Sequence, residues 1–226
     1  MKEFVENMLP YERDWFFLLN GSNSVFLDQM MYTISGSKIW IPLYAFVLWM
    51  IFYKAPKKEA LLVAAFFILT FTLCDQFSSG LVKPFFERLR PGHHPDFKDL
   101  VDIVNDHRGG GYSFISGHAT NCFGFAVFLS FVFRNRRVTL VALAWAALIS
   151  YSRIYLGMHF ISDVAGGILA GTFIAVILYA ALIPLRKKLF HTEGAQKTQI
   201  YPGKHGNLLA LVFAGYFLAV ILFSLF

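Results

Sequence analysis

The stretch from Val164 to Leu185, VAGGILAGTFIAVILYAALIPL, contains no charged residue. A helix that crosses the hydrocarbon core of a bilayer needs about 20 mostly apolar residues, and this stretch supplies them without interruption. The stretch from Leu208 to Phe226 also lacks charge. Both stretches are therefore predicted to be transmembrane helices.

The overall composition agrees with exposure to lipid. Hydrophobic residues make up 57% of the 226 residues and charged residues only 15%, whereas soluble domains contain roughly 45–50% and about 25%. A chain of this length cannot hide the excess in one core, because its surface must still be wetted. Both cysteines, Cys74 and Cys122, fall within apolar runs, which argues against a disulfide framework. These features exclude a soluble enzyme, a disordered chain and a disulfide-stapled secreted module.

Four further apolar stretches precede Val164 and bring the predicted number of transmembrane helices to six. They are residues 39–53, 60–82, 119–133 and 138–152. We therefore predict an all-α, polytopic integral membrane protein with six transmembrane helices, in which residues 1–226 form a single membrane-embedded domain.

The N-terminal region, residues 1–35, mixes aromatic side chains with charges that recur too often for a span. This pattern favours an N-terminal helix that lies in the membrane interface, and a re-entrant pair of segments is the alternative.

The orientation of the protein in the membrane follows from the distribution of Lys and Arg, because cytoplasmic loops are enriched in both. The loops after the first, third and fifth predicted spans hold eleven of the 20 Lys and Arg residues. We expect these loops to face the cytoplasm and the others to face outward.

Three polar clusters lie at the predicted outward ends of the spans, where charge is costly and therefore informative. The first, KPFFERLRP, runs from Lys83 to Pro91. Pro84 suits the first turn of a helix and Pro91 ends one, which predicts a short helix between them. Lys83 and Arg90 are then about two turns apart and could point the same way. A pair of basic side chains reaching for the interface is the alternative.

The second cluster is Ser116-Gly117-His118, which enters the third predicted span. Backbone N–H groups at the start of a helix bind anions readily. This segment is therefore a candidate anion cradle, and a histidine that only packs is the alternative.

The third cluster runs from Ser152-Arg153 through His159 to Asp163. His159 and Asp163 are four residues apart, so on a helix they share a face and can hydrogen-bond. A carboxylate on one ring nitrogen fixes the tautomer and leaves the other nitrogen free as a nucleophile. An ion-paired structural histidine is the alternative.

Taken together, the three clusters resemble the motifs of the type 2 phosphatidic acid phosphatase superfamily. That family has Lys, six residues and Arg-Pro; then Pro-Ser-Gly-His; then Ser-Arg, five residues, His, three residues and Asp. This chain follows the same order and spacing over about residues 75–165. One position departs from the pattern, since Ile115 stands where the family has Pro. That residue touches no phosphate in the family scheme, so the departure affects only the expected geometry of the local turn.

The resemblance implies a role for each matching residue. His159 would attack phosphorus and carry a transient phosphohistidine, Asp163 would orient it, and His118 would protonate the leaving oxygen and later activate water. The oxygens of the phosphate would be held by the remaining matches, which are Lys83, Arg90, Arg153 and the N–H groups of Ser116 and Gly117. No metal ion or other cofactor is implied, because three cations supply the positive charge.

The predicted activity is therefore hydrolysis of a lipid phosphate or diphosphate. The expected partners are the membrane lipid substrate and the bilayer, and no nucleic acid. The resemblance implies a bacterial inner-membrane enzyme whose site faces outward and takes undecaprenyl diphosphate or lipid A phosphate, with phosphatidylglycerophosphate and phosphatidic acid as further options. A non-enzymatic lipid or anion transporter and a vanadium haloperoxidase-like enzyme are the alternatives.

Three further features of the sequence give weaker structural indications. Asp75 interrupts the second predicted span and is expected to be a hydrogen-bonded structural group near the site, since an intramembrane carboxylate normally has a partner. Residues 96–106 combine acidic and apolar side chains, which predicts a short amphipathic helix rather than a calcium site. Residues 191–207 are polar, contain Pro-Gly and are predicted to form a flexible cytoplasmic loop.

Overall fold

The computed structural model describes residues 2–22, 24–190, 201 and 203–224. Its α-helices are α1 (Lys2–Glu6), α2 (Leu9–Leu19), α3 (Val25–Ser35), α4 (Ile41–Phe52), α5 (Lys57–Asp75), α6 (Lys83–Phe86), α7 (Gly117–Phe133), α8 (Arg136–Tyr155), α9 (Ile161–Phe190) and α10 (Gly203–Phe223). A 3-10 turn (Ser37–Trp40) leads into α4, and a π-helical segment (Gln76–Val82) joins α5 to α6. The predicted all-α fold is confirmed.

Within the described residues, four helical segments are long and apolar enough to cross a membrane: α5 with its continuation to His93, α8, α9 and α10. Helix α3 and the segment Ser37–Phe52 are together also long and apolar enough to cross a membrane, but they meet at an angle of 66°. Helix α7 is apolar and shorter, with 17 residues. The polytopic fold is confirmed, and the number of six spans stays a prediction.

Several helices extend beyond the apolar stretches that predicted them. Helix α9 continues to Phe190, and on this extension Arg186 donates to Glu59 of α5 at 2.7 Å. Helix α10 begins at Gly203 rather than at Leu208, so the predicted cytoplasmic loop ends earlier. Residues 191–200 and 202 of that loop lie outside the described residues.

Helices α7 and α9 approach closely because glycines of α9 face the backbone of α7. A Cβ atom on Gly171 would lie 2.1 Å from the carbonyl oxygen of Thr120, and one on Gly167 would lie 2.6 Å from that of Ser116. Small residues permit such contact between membrane helices. The first turn of α7 therefore lies against the start of α9, and the Ser116 N–H donates to the backbone oxygen of Asp163 at 2.9 Å.

The segment from Lys83 to Arg90 is not one helix, which corrects the prediction made from its two prolines. Helix α6 ends at Phe86 because Glu87 adopts the left-handed conformation, with φ of 49°. The proposed spacing of two helical turns between Lys83 and Arg90 is therefore wrong. Arg90 instead enters the site from extended backbone just before Pro91.

Helix α2 packs over the turn that precedes α9. Phe16 is fully buried, and its ring contacts the rings of Phe97 and Phe160. The loop that carries Phe97 forms turns over residues 95–100 and a 3-10 turn at Val104–Asp106, so the amphipathic helix predicted over 96–106 does not form in this described segment. The placement of α2 in the membrane interface stays a prediction.

Candidate active site

His159 lies in the turn between α8 and α9, with its ring buried beside Asp163. The Arg153 carbonyl oxygen fixes this turn by accepting hydrogen bonds from the backbone N–H groups of Met158 at 2.9 Å and His159 at 3.1 Å. Gly157 supplies the left-handed backbone that the turn requires, with φ of 65°. His159 and Asp163 therefore do not share a helical face as predicted, because α9 begins two residues after His159.

The predicted contact between these two side chains nevertheless forms. His159 Nδ1 lies 3.4 Å from Asp163 Oδ2, and the same oxygen accepts the Phe160 N–H at 2.8 Å. Ser113 Oγ donates to this carboxylate oxygen as well and lies 3.4 Å from His159 Nδ1. Several donors thus hold the Asp163 carboxylate against one edge of the imidazole.

Arg90 contacts the other ring nitrogen of His159. Its Nη1 lies 3.4 Å from His159 Nε2 and donates to the Met158 carbonyl oxygen at 3.0 Å, while its Nε donates to the Gly110 carbonyl oxygen at 2.9 Å. A guanidinium has donors only, so Nε2 faces it with the lone pair and Nδ1 carries the proton toward Asp163. This assignment leaves the lone pair of Nε2 next to a fixed cation.

Burial sets the protonation state of His159. Removal of the ring from water lowers the pKa of His159 from its usual 6.5 to about 3, and the positive charge of Arg90 acts in the same direction. The hydrogen bond to Asp163 acts the opposite way and is outweighed. The imidazole is therefore neutral at pH 7, which is the state that a nucleophile requires.

His118 and Arg153 line a cavity of about 260 Å³ at the bend between α3 and the following 3-10 turn. The other lining residues are Tyr32, Ser35, Gly36, Ser37, His107 and Leu156. Arg153 is buried; its Nη1 donates to Ser35 Oγ, and its Nε has no hydrogen-bond partner among the described residues. The guanidinium thus keeps a donor with which to bind an anion. The charges of Arg153, Lys83 and His159 act on the His118 ring, which places these groups in one region.

The start of α7 contains the remaining predicted residues. Ser116 caps this helix, since its Oγ accepts the Ala119 N–H at 3.4 Å. Its own N–H donates to the backbone oxygen of Asp163 in this structure, and the use of that N–H to hold phosphate stays a prediction. Lys83 lies close to Gly117, since a Cβ atom on Gly117 would lie 3.8 Å from Lys83 Nζ, which is ordinary van der Waals contact. Asp75, at the end of α5, is also close enough for its charge to act on Lys83.

Arg88 contacts the far side of Asp163, and sequence analysis did not identify it. Its Nη1 donates to Asp163 Oδ1 and its Nη2 to Glu12 Oε1, both at 2.7 Å. The guanidinium is fully buried and lies 4.3 Å from the centroid of the Phe160 ring. Glu12 in turn accepts the backbone N–H of Ser162 at 2.7 Å and its hydroxyl at 2.8 Å.

The residues that sequence analysis missed gave weak signals. Arg88 lies between Lys83 and Arg90, so its place within a basic cluster was the one available indication. Ser113 lies just before the second motif and nothing in the pattern distinguishes it. Glu12 was counted among the charges of an interfacial helix, and no spacing connects it to Asp163.

The comparisons with known proteins agree with this geometry. The family model described as the PAP2 superfamily matches residues 61–187. The chain is 39% identical over 221 residues to a lipid A 4'-phosphatase of Porphyromonas gingivalis, which covers 97% of this chain and 94% of the relative. It is 34% identical over 205 residues to a lipid A 4'-phosphatase of Bacteroides thetaiotaomicron, covering 90% and 88%.

A solved structure shows the same fold. The PAP2-type phosphatidylglycerolphosphate phosphatase of Bacillus subtilis superposes with a TM-score of 0.57 and 25% sequence identity, covering 84% of this chain and 89% of that one. One assignment follows from the order of the three motifs, from their convergence around His159 and from the match of the family model. The chain belongs to the PAP2 superfamily.

Proposed function

We propose that this protein is an integral membrane lipid phosphatase that removes a phosphate from a phosphorylated sugar lipid of the lipid A type. The observation that carries the proposal is the state of His159. Its Nδ1 faces Asp163 at 3.4 Å, its Nε2 faces Arg90 at 3.4 Å, and burial keeps the ring neutral by lowering its pKa to about 3. A neutral imidazole held between a carboxylate and a cation suits attack on an anionic phosphoryl group.

The reaction we propose has two steps. His159 Nε2 attacks phosphorus, the bond from phosphorus to the leaving oxygen breaks, and His118 donates a proton to that oxygen. Water then attacks the phosphohistidine, His118 takes a proton from the water, and the bond from Nε2 to phosphorus breaks to release inorganic phosphate. Asp163 stabilises the positive charge that His159 acquires as it attacks.

Positive charge around the phosphoryl oxygens supplies the stabilisation that phosphoryl transfer needs, since this chemistry depends mainly on positioning and electrostatics. Arg90 lies at the nucleophilic nitrogen, and Arg153 keeps an unpartnered buried donor among the described residues. Lys83 lies near the start of α7. Because the charges of Lys83 and Arg153 act on His118, a bound phosphate offsets these charges and favours the protonated imidazole that the first step requires.

We infer that the cavity beside His118 takes a sugar headgroup. Tyr32, Ser35 and Ser37 contribute hydroxyl groups to its lining, and His107 contributes an imidazole. Such groups can hydrogen-bond the hydroxyls of a leaving sugar. Two relatives that match 90% or more of this chain are lipid A 4'-phosphatases, which supports the same choice.

We place the site at the outer face of the bacterial inner membrane. This orientation rests on the excess of Lys and Arg in the loops at the other ends of the helices. A headgroup can then bind at the membrane surface while its acyl chains stay in the outer leaflet.

The experiment is phosphate release by the detergent-purified protein with EDTA present. The substrates are lipid A, undecaprenyl diphosphate, phosphatidylglycerophosphate and phosphatidic acid, and the control variant is His159→Ala. We expect release from lipid A that the variant abolishes. Release from another lipid alone would overturn the choice of substrate, and no release from any lipid by a folded sample would favour a transporter.

A further inference from the structure

We propose that Glu12 of α2 is a positioning residue for the reaction. It acts through Arg88 to keep the Asp163 carboxylate a strong hydrogen-bond acceptor for His159. This inference rests on the proposed phosphatase function and adds an N-terminal helix to the machinery of the site.

The geometry joins α2 to Asp163 through one buried guanidinium. Arg88 is fully buried, and its two terminal nitrogens each bind a different carboxylate at 2.7 Å. Both oxygens of Glu12 are used, because Oε1 also accepts the Ser162 hydroxyl and Oε2 accepts the Ser162 N–H. Glu12 therefore binds Arg88, which contacts Asp163, and it also binds the first turn of α9, the helix that carries Asp163.

The charge balance shows why a second carboxylate matters. Asp163 alone would neutralise Arg88, and burial of a further charge is costly. With Glu12, the three side chains carry a net charge of −1 while His159 is neutral, and attack on phosphorus brings positive charge onto the His159 ring. The three side chains and the His159 ring together thus approach a net charge of zero as the reaction proceeds. The transition state is therefore stabilised more than the ground state, which accelerates the chemical step.

Loss of the Glu12 charge would leave the whole Arg88 charge acting on Asp163. The carboxylate would then be a weaker acceptor for His159 Nδ1, and positive charge on the ring would be opposed more strongly. The charges of Arg90 and Arg153 already act on His159 in this unfavourable direction. We therefore expect the rate of the chemical step to fall, with little change in binding of the substrate.

Glu12→Gln tests this with the full-length purified protein and lipid A as substrate. Gln keeps the size of the side chain, and Arg88 keeps Asp163 as its partner, so the variant is expected to fold. We expect kcat to fall about tenfold, with KM unchanged within about twofold. Glu12→Asp keeps the charge and should recover most of the lost kcat. The matched control is Asp14→Asn, an exposed carboxylate on the same helix, which should behave as wild type.

A second measurement separates positioning from a merely structural role. In an Asp163→Asn background, adding Glu12→Gln should lower the single-turnover rate by a smaller factor than it does in the wild-type background, because the part of the effect that acts through the Asp163 carboxylate is then absent. Equal losses in both backgrounds, or equal losses in Glu12→Gln and Asp14→Asn, would overturn the proposal. A wild-type protein that hydrolyses lipid A together with a fully active Glu12→Gln would overturn it and leave the phosphatase function standing. A wild-type protein without phosphatase activity would overturn both.

Discussion

Ser113 offers a direct test of how Asp163 is held. Its hydroxyl donates to Asp163 Oδ2 and lies 3.4 Å from His159 Nδ1, and the residue is fully buried. Ser113→Ala removes this donor without adding bulk. The carboxylate keeps Arg88 at 2.7 Å and the Phe160 N–H at 2.8 Å, so Asp163 stays charged but is less firmly fixed against the imidazole.

The expected size of the effect follows from the strength of the lost bond. A hydrogen bond to a charged group contributes about 1.5–3 kcal/mol, which corresponds to about 10- to 150-fold in rate if the transition state loses all of it. Because other donors to Asp163 remain, we expect kcat for Ser113→Ala to fall by about 10- to 30-fold. KM should change by less than about twofold, since the hydroxyl is directed at Asp163 rather than at the substrate.

The assay is steady-state phosphate release with Ser150→Ala as the matched control. Ser150 is also buried, but its hydroxyl donates within α8 to the Ala146 carbonyl oxygen at 2.7 Å. The control should retain wild-type kcat. A Ser113→Ala enzyme with unchanged kcat, or one whose loss of activity merely follows a lower melting temperature, would refute the reasoning.

Three further predictions concern pH, packing and the phosphate site. Since burial lowers the pKa of His159 to about 3, the imidazole stays neutral well below pH 6.5, so kcat/KM should persist in that range and fall only toward pH 3. A loss of activity centred near pH 6.5 on the acid side would contradict a buried, neutral His159. Gly171→Ala should destabilise the protein by about 1–3 kcal/mol or more, because its Cβ would lie 2.1 Å from a backbone oxygen of α7, whereas Gly215→Ala, with no atom within 4 Å, should not lower the melting temperature. Arg90→Lys keeps the charge but loses the fixed guanidinium bonds, so kcat/KM should fall about 10- to 100-fold, and an unaffected kcat/KM would show that charge alone suffices there.

The motif residues were predictable because spacing and residue type reflect the chemistry directly. His159, Asp163 and Arg90 are in contact as the motifs indicate, although neither predicted helical register holds. His159 lies in a turn, and α6 stops at Phe86. Residue spacing thus identified the partners, while the backbone that brings them together depended on tertiary contacts.

The supporting residues could not be predicted, because their partners are distant in the chain. Arg88 lies 75 residues before Asp163, and Glu12 lies 150 residues before Ser162. No periodicity connects such positions. In a sequence, Arg88 is one more basic residue near a membrane end, and Glu12 is one more charge on a helix with an apolar face.

The most direct test of the account is to find where the phosphoryl group is carried. A His118→Ala variant is mixed with an aryl phosphate whose leaving group needs no proton, and the reaction is quenched in alkali, under which phosphohistidine survives. Peptide mapping should then locate phosphate on His159, and no phosphate should be bound to the enzyme when it also carries His159→Ala. Phosphate on another residue, or hydrolysis with no phosphoenzyme in the first turnover, would contradict His159 as the nucleophile.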